Sequence, residues 1–446
     1  MKSNVSRRRF MQTSASAAFV GGIVNFAFAQ EQKPTESKSP GEAVNVGMIG
    51  ANGQARANME RVAKAGANVV ALCDVDSNRL AEGSKGFESA KQYTDWRKLL
   101  EQKDIDAVIV AIPDHMHAFA TIAAMRLGKH VYCEKPLTHS IYEARRVAEV
   151  AKKTNVRTQM GHNGNATEGT RLTVEMIRAG VIGDIKEIHT WTNRPIWPQG
   201  IERPKEEEPV PKNLNWDLWL GPAPERPYNH IYHPFNWRGW VDFGTGAIGD
   251  MGCHIINASY WALNLGYPDW VEAGCWFNGE TWPEWSIIRY QFPAKEDRPA
   301  VKMFWYDGGK LPERPKELEA DRKFTEGGGT LWIGEKGKMI TATSQAPRLI
   351  PESKMKDFVK PPQTIERLPV GPSPHHREWL DAIKSGKESS ANFQYSAMLT
   401  EIVLLGNVAI RAGGTKLEWD GAGMKFGNAA GAEKFLRREY RAPWRL

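Results

Sequence analysis

The segment VNVGMIGANGQA (residues 44–55) is an apolar β-type run that breaks into a turn holding Gly50, Asn52 and Gly53. RANMERVAKAG (56–66) follows with helical spacing and stops at Gly66. A strand, a glycine turn and a helix in this order make the place where a parallel sheet holds a dinucleotide pyrophosphate. The N–H groups at the helix N-terminus favour the phosphate charge, and small residues let it come close. The usual pattern is G-x-G-x-x-G; here Asn52 stands at the second glycine and Ala55 at the third. Asn tolerates unusual backbone angles, and Ala is accepted at the third position. Gly50, Asn52, Gly53, Gln54 and Ala55 are therefore the candidate phosphate-turn residues.

Working outward, ANVVALCDVD (67–76) is a second buried strand that closes on Asp74 and Asp76. A carboxylate at Asp74, 24 residues after Gly50, suits the ribose hydroxyls of NAD and repels a 2′-phosphate. NRLAEGSKGF (78–87), WRKLLEQKDI (96–105) and HAFATIAAMRLGKH (117–130) are helical, and DAVIVAIP (106–113) and VYCEKP (131–136) are strands with their exits. This alternation predicts a doubly wound parallel sheet. Pro113 ends its strand at the edge where such sheets bind cofactors. His115 and His117 lie just beyond and are expected at the helix N-terminus or the cofactor. A metal role is not expected, because the pair is separated by one residue and lacks a third ligand.

Glu134-Lys135-Pro136 lies at the carboxyl end of the next strand, so Lys135 is expected to point into the same crevice, with Glu134 beside the cofactor. A lysine there can hold a substrate oxygen or shuttle a proton; the bland alternative is a surface ion pair. In GTGAIGDMGCHIIN (244–257), Asp250 and His254 are four apart and share a helix face. A histidine near a carboxylate is a usual general-base arrangement.

The second half reads differently. After the helix EGTRLTVEMIRAGVIG (168–183) come the β-type runs IKEIHTWTNRP (185–195), WVEAGCWFNG (270–279), SIIRYQF (286–292) and AVKMFWYDG (300–308). They predict a large open, mostly antiparallel sheet with helices on one face. HHREWLDAIKSG (375–386) and SAMLTEIVLLGNVAIRAGG (396–414) return to helix. Trp191, Trp197, Trp216, Trp219, Trp237 and Trp240 are interleaved with Asn193, Arg194, His233 and Arg238. Aromatic faces with bidentate donors suit sugar rings, although core packing accounts for most of these tryptophans. Asn163, Arg194, Trp197, His233, Trp237 and Arg238 are the candidate substrate residues.

The chain has 446 residues, 41% hydrophobic and 25% charged, enough for two domains. Cys73, Cys133, Cys253 and Cys275 are widely spaced and form neither a disulfide framework nor a zinc motif. SRRRFMQ (6–12), the apolar run ASAAFVGGIVNFAFA (15–29) and its A-x-A end predict a twin-arginine signal peptide over residues 1–29. That segment carries four of the charges behind the formal +7 and no acid, so the basic balance does not point to nucleic acid. Residues 30–43 read as a linker, 44–165 as the NAD-binding domain and 166–446 as a substrate and oligomerisation domain. The expected protein is periplasmic or exported, with no membrane attachment after cleavage.

Taken in order, the glycine turn, the Asp-ended second strand, EKP and GDMGCH resemble the glucose–fructose oxidoreductase / inositol dehydrogenase (Gfo/Idh/MocA) family over about residues 44–446. The resemblance implies a Rossmann domain followed by an α/β domain with an open sheet. It also implies catalytic roles for Lys135, Asp250 and His254. The inserts TNRPIWPQGIERP and NWDLWLGPAPERPYNHIYHPFNWRGW and the end RREYRAPWRL resemble an exported bacterial subgroup.

The leading expectation is an NAD-dependent oxidoreductase acting on a sugar, polyol or glycoside. His254 or Lys135 would take the hydroxyl proton, Asp250 would orient His254, and the cofactor would be held tightly and recycled. The second is a redox-neutral NAD-dependent glycosidase working by oxidation, elimination, addition and reduction. The third, a non-catalytic Rossmann sensor, sits poorly with an intact Lys135, Asp250 and His254. An open sheet also leads us to expect a homo-dimer or homo-tetramer.

Overall fold

The structure is a computed structural model and describes residues 43–446. The expected signal peptide, and the linker except Ala43, lie outside the described residues. The chain runs β1 (Asn45–Ile49), α1 (Gln54–Lys64), β2 (Asn68–Cys73), α2 (Ser77–Gly83), β3 (Lys91–Tyr93), α3 (Trp96–Leu100), β4 (Ala107–Val110), α4 (His117–Arg126), β5 (His130–Cys133), α5 (Ile141–Thr154) and β6 (Thr158–Met160). These six strands form one parallel sheet in the order β3-β2-β1-β4-β5-β6. The order reverses at β1, which puts the crevice for a dinucleotide beyond its carboxyl end.

Both faces of this sheet are buried, as parallel strands require. Val46 and Met48 of β1 join Leu72, Ile109 and Tyr132 on one side. Ile49 joins Val108, Val110, Val131 and Cys133 on the other. On the first side, Ala55, Met59 and Val62 are buried at helical spacing along α1. α5 starts on a complete capping box between Ser140 and Glu143 and stops where Asn155 turns left-handed at φ 54°.

The second part holds α6 (Glu168–Arg178), β7 (Ile185–Trp191), α7 (Trp216–Leu220), α8 (Gly246–Ile255), α9 (Asn257–Leu263), β8 (Trp270–Gly274), β9 (Ile287–Phe292), β10 (Val301–Tyr306), β11 (Gly329–Gly334), β12 (Lys338–Ala342), β13 (Arg348–Ile350), α10 (Pro374–Ser385), α11 (Phe393–Arg411), β14 (Leu417–Asp420) and β15 (Lys425–Phe426). Its nine strands run β13-β12-β11-β7-β10-β9-β8-β14-β15. Only β7 and β10 pair in parallel; the other neighbours are antiparallel. The expected fold class therefore holds.

Two late helices tie the parts together. Trp379 and Leu380 of α10 are buried against the same face of the first sheet as α1, so a C-terminal helix completes the layer that residues 44–165 begin. α11 packs against α5, α8 and β8. It is long and apolar enough to cross a membrane, yet its residues are mostly buried in the core. Each fully buried Leu, Ile or Val there contributes roughly 1.5–3 kcal/mol, so it reads as a core helix.

Candidate functional site

The glycine turn is built as the sequence suggests. Gly50 has φ 99°, and a Cβ on it would sit 2.3 Å from the Ala111 carbonyl oxygen and 3.2 Å from the Ala55 methyl, so glycine is obligatory there. Asn52 Oδ1 accepts from the Gly53 N–H at 2.6 Å, which stabilises the tight turn. Gly53 caps α1 without any side-chain hydrogen bond, so the first N–H groups of the helix carry no side-chain cap. An uncapped helix end above a close backbone turn fits a pyrophosphate. Asp74 accepts from the Ala51 N–H at 3.1 Å and the Asp76 N–H at 3.1 Å, bracing the turn from β2. Burial pushes its carboxyl above the ordinary range, against the two backbone donors.

Gln54 and Glu134, both expected at the cofactor, are bonded to each other. Glu134 Oε1 accepts from Gln54 Nε2 at 3.0 Å and from Asn58 Nδ2 at 2.8 Å. The tie fixes the exit of β5 to the start of α1. Gly161 completes it, since a Cβ there would lie 2.7 Å from the Glu134 carboxyl.

His115 and His117 need correction as cofactor residues. His115 is fully buried, with Nδ1 3.2 Å from the Phe243 carbonyl oxygen and Nε2 3.0 Å from that of Trp219. His117 has Nδ1 2.8 Å from Pro136 O and Nε2 2.7 Å from Ile112 O. Neither ring keeps a nitrogen for a ligand. They pin the exits of β4 and β5, and His115 also pins the insert that carries α7. Pro113 precedes the short turn of helix Asp114–Met116 that leads into α4.

Lys135, Asp250 and His254 come together, although not in the expected relation. Lys135 Nζ donates to Asp250 Oδ1 at 2.7 Å and to the Asp250 carbonyl at 3.0 Å. Arg194 Nε donates to Asp250 Oδ2 at 2.9 Å, and Arg238 Nε lies 3.3 Å from Oδ1. Burial alone would raise the Asp250 carboxyl; Lys135, Arg238 and Arg194 overrule it and hold it well below the usual range. Asp250 does not orient His254. His254 Nδ1 donates instead to the His162 carbonyl at 2.8 Å, one helical turn further along α8. Burial, reinforced by Lys135, pulls the imidazole down to about 3 despite Asp250. The ring is therefore neutral, with its proton on Nδ1, and Nε2 has no partner among the described residues. Close helix packing sets this height: a Cβ at Gly252 would lie 2.8 Å from Val403 of α11.

Of the expected substrate residues, Arg194, Arg238, Trp197 and Trp237 gather here. Arg238 Nη1 also donates to Asp114 at 3.1 Å, and its guanidinium lies 4.3 Å from the Trp237 ring and 5.8 Å from that of Trp197. Trp197 is buried and donates to Gln199, so it backs the arginine rather than facing solvent. Asn163 sits half-buried in the loop after β6, its amide turned back to the Gly161 carbonyl at 3.2 Å. His233 lies elsewhere. Its ring meets Trp219 edge-on at 5.9 Å, burial pulls it down to about 4, and its charged neighbours are Asp76, the N-cap of α2, and Arg79 in the first turn of α2. It thus belongs to the cofactor side rather than the Asp250 group. Trp216, Trp219 and Trp240 form an aromatic core with Tyr232 and Phe243.

Sequence reasoning missed Asp114, whose Oδ2 accepts from Thr245 Oγ1 at 2.5 Å, and the His162 carbonyl. Asp114 had a signal, an acid directly after Pro113 at a strand exit. A carbonyl has none. It also missed how the insert reaches β2. Ser77 N donates to Asn213 O, Asn215 N to Val75 O, and Asn213 Nδ2 to Asp76 Oδ1, at 2.8, 2.9 and 2.8 Å.

Residues 44–162 match the family model described as "Oxidoreductase family, NAD-binding Rossmann fold" (GFO_IDH_MocA). Residues 184–270 match "Oxidoreductase family, C-terminal alpha/beta domain". Residues 44–162 and 184–270 thus each match one domain of this Gfo/Idh/MocA oxidoreductase family, the first of them its NAD-binding Rossmann domain. It is 33% identical to inositol 2-dehydrogenase of Salmonella typhimurium over 33% of this chain and 43% of that one. It is 25% identical to levoglucosan dehydrogenase of Pseudarthrobacter phenanthrenivorans over 45% of each. The matched stretches span less than half the length of these relatives. A solved levoglucosan dehydrogenase, in complex with NADH and levoglucosan, superposes with a TM-score of 0.59 over 83% of this chain and 98% of that one, at 17% identity.

Proposed function

We propose that the chain is an NAD-dependent oxidoreductase that takes a hydride from a carbinol carbon of a sugar, polyol or glycoside. The observation that carries this reading is a neutral His254, its Nε2 free, beside a Lys135 locked onto an ionised Asp250. Bound NAD supplies the hydride acceptor, held at the uncapped start of α1 around Gly50, Asn52, Gly53 and Ala55.

The chain's own residues do the rest. His254 Nε2 accepts the hydroxyl proton, while Nδ1–H stays on the His162 carbonyl and fixes the ring. Lys135 has one N–H beyond its two bonds to Asp250, and it donates to the oxygen as charge develops there. Asp250 keeps Lys135 in place and screens the site's cations from one another. Glu134, through Gln54 and Asn58, sets the distance from this group to the phosphate turn. Burial makes the imidazolium short-lived, so the proton passes on after each turnover.

The test is to mix NAD-loaded protein with a panel of sugars, polyols and glycosides, following reduced-nicotinamide absorbance and analysing products. Transient reduction with an oxidised sugar product supports the reading. Glycoside cleavage without net oxidation would move it to the redox-neutral glycosidase. Absence of any nicotinamide reduction would overturn it.

A further inference from the structure

Around Asp250 every side-chain carboxylate oxygen is already taken. Asp250 Oδ1 accepts from Lys135 and is ion-paired with Arg238 at 3.3 Å, and Oδ2 accepts from Arg194. Asp114 Oδ1 accepts from Arg238 and Oδ2 from Thr245. Glu134 Oε1 accepts from Gln54 and Asn58, and its Oε2 faces the Lys135 N–H at 3.4 Å. Formal charges cancel across Lys135, Arg194, Arg238, Asp250, Asp114 and Glu134; what is left over is hydrogen-bond donors.

The surplus sits on two arginines. Arg194 spends Nε on Asp250 and Nη1 on Asn193, at 2.9 and 2.7 Å, and its Nη2 has no acceptor among the described residues. Arg238 pairs Nε with Asp250 at 3.3 Å and donates from Nη1 to Asp114, and its Nη2 likewise has no acceptor among the described residues. Both side chains keep part of their surface exposed, 24% for Arg194 and 16% for Arg238. Because each guanidinium places Nε against the same carboxylate, at 2.9 and 3.3 Å, the two are neighbours, and Arg238 lies 4.3 Å over the Trp237 ring.

Sugar hydroxyls need acceptors as well as donors. Here the carboxylate oxygens already have donors, and His254 Nε2 is used by the reaction itself. Two adjacent open guanidinium edges match instead an acceptor-only, planar group. We propose that the substrate carries a carboxylate, as a uronic acid or its glycoside. The carboxylate is seated between Arg194 Nη2 and Arg238 Nη2, while the carbinol to be oxidised meets His254 and Lys135. This rests on the sugar-oxidoreductase reading above.

The test is binding, so it does not depend on turnover. NAD-loaded full-length protein is titrated calorimetrically with glucuronate, galacturonate and mannuronate, each against its parent hexose, and with glucose 6-sulfate. At least one uronate is expected to bind about tenfold or more tighter than its hexose, with the gap shrinking as salt rises. Arg194→Met and Arg238→Met are each expected to reduce that gap to about twofold. Hexoses binding as tightly as every uronate would overturn the proposal. So would glucose 6-sulfate binding tighter than the best uronate, or no uronate binding at all. If a variant fails to fold, the wild-type comparison still decides. Failure of nicotinamide reduction in the separate assay, with the uronate preference intact, would sink the functional reading and leave this binding site standing.

Discussion

Lys135 grips one residue twice, with Nζ 2.7 Å from Asp250 Oδ1 and 3.0 Å from the Asp250 backbone carbonyl. The lysine is therefore positioned by the helix as well as by the carboxylate. Arg194 and Arg238 complete the shell, so Asp250 is the shared anion of three cations.

Asp250→Asn is expected to lower kcat/KM by about 10²-fold or more, as much as Lys135→Ala, because it leaves buried cations without their anion. The double variant is expected to be little worse than either single one, since the two residues act as a unit. A double-mutant cycle on steady-state rates checks this. Losses that simply multiply would show two independent contributions.

His254→Ala is expected to lower kcat by about 10²–10⁴-fold with NAD binding retained. Burial holds the wild-type imidazole near 3, so it is neutral throughout the working range. The pH–rate profile of kcat/KM is therefore expected to show no His254-dependent ionisation between about pH 5 and 8. A limb near pH 6.5 that disappears in the His254 variant would contradict a buried, neutral base.

Asp307 supplies a stability prediction away from the chemistry. It is buried, accepts from Trp305 Nε1 and Ser286 Oγ at 2.8 Å each and from the Ser286 N–H, and has no cation partner among the described residues. Burial raises its carboxyl to about 7, against these donors. The folded state thus holds a proton that the unfolded chain releases near pH 4. Stability from this group is full below that pH and is lost as pH rises toward 7, by at most on the order of 4 kcal/mol. Asp307→Asn is expected to flatten the fall of the melting temperature between pH 4 and 7. The absolute value will also drop, because the amide sets a donor against a donor, so the slope is the readout. An unchanged slope would mean that Asp307 is ionised throughout.

The parts of this molecule that could be read from sequence are local. The Rossmann strands and helices alternate over about a hundred residues, and Gly50 and Asp74 announce themselves by position. EKP and GDMGCH pointed to Lys135, Asp250 and His254, which the fold brings into one neighbourhood. Their bonding was not legible. Spacing on one helix face suggested that Asp250 touches His254, whereas the partners of Asp250 arrive on loops 56 residues upstream and 12 upstream. His254 is held by a carbonyl, which no side-chain pattern reveals. The second sheet pairs β7 with β10 and β11, a register set by distant segments, and the short β11–β13 were not picked out. The tryptophans were read partly as sugar platforms; Trp216, Trp219 and Trp240 form a core because they meet one another and Phe243 rather than the crevice.

The insert between β7 and α8 leads to the last prediction. It meets the end of β2 through three hydrogen bonds, two of them backbone–backbone, at 2.8 to 2.9 Å. It also brings His233 beside Asp76 and Arg79, at the cofactor side of the crevice. A segment so attached has to detach, at least in part, before a dinucleotide lying along β2 can leave. The protein is therefore expected to purify with close to stoichiometric NAD and to keep it through exhaustive dialysis. It is also expected to catalyse many turnovers on a sugar and a suitable acceptor without added cofactor. Export after folding, as the residues before 30 suggest, would make such retention useful where free NAD is scarce. Asn213→Ala removes one of the three ties, about 1 kcal/mol, and is expected to speed nucleotide release several-fold while leaving the Lys135–Asp250 chemistry intact. Nucleotide content is assayed after denaturation, and release by stopped-flow competition. Complete loss of nucleotide on dialysis, with rates proportional to added NAD, would show that the insert does not retain the cofactor.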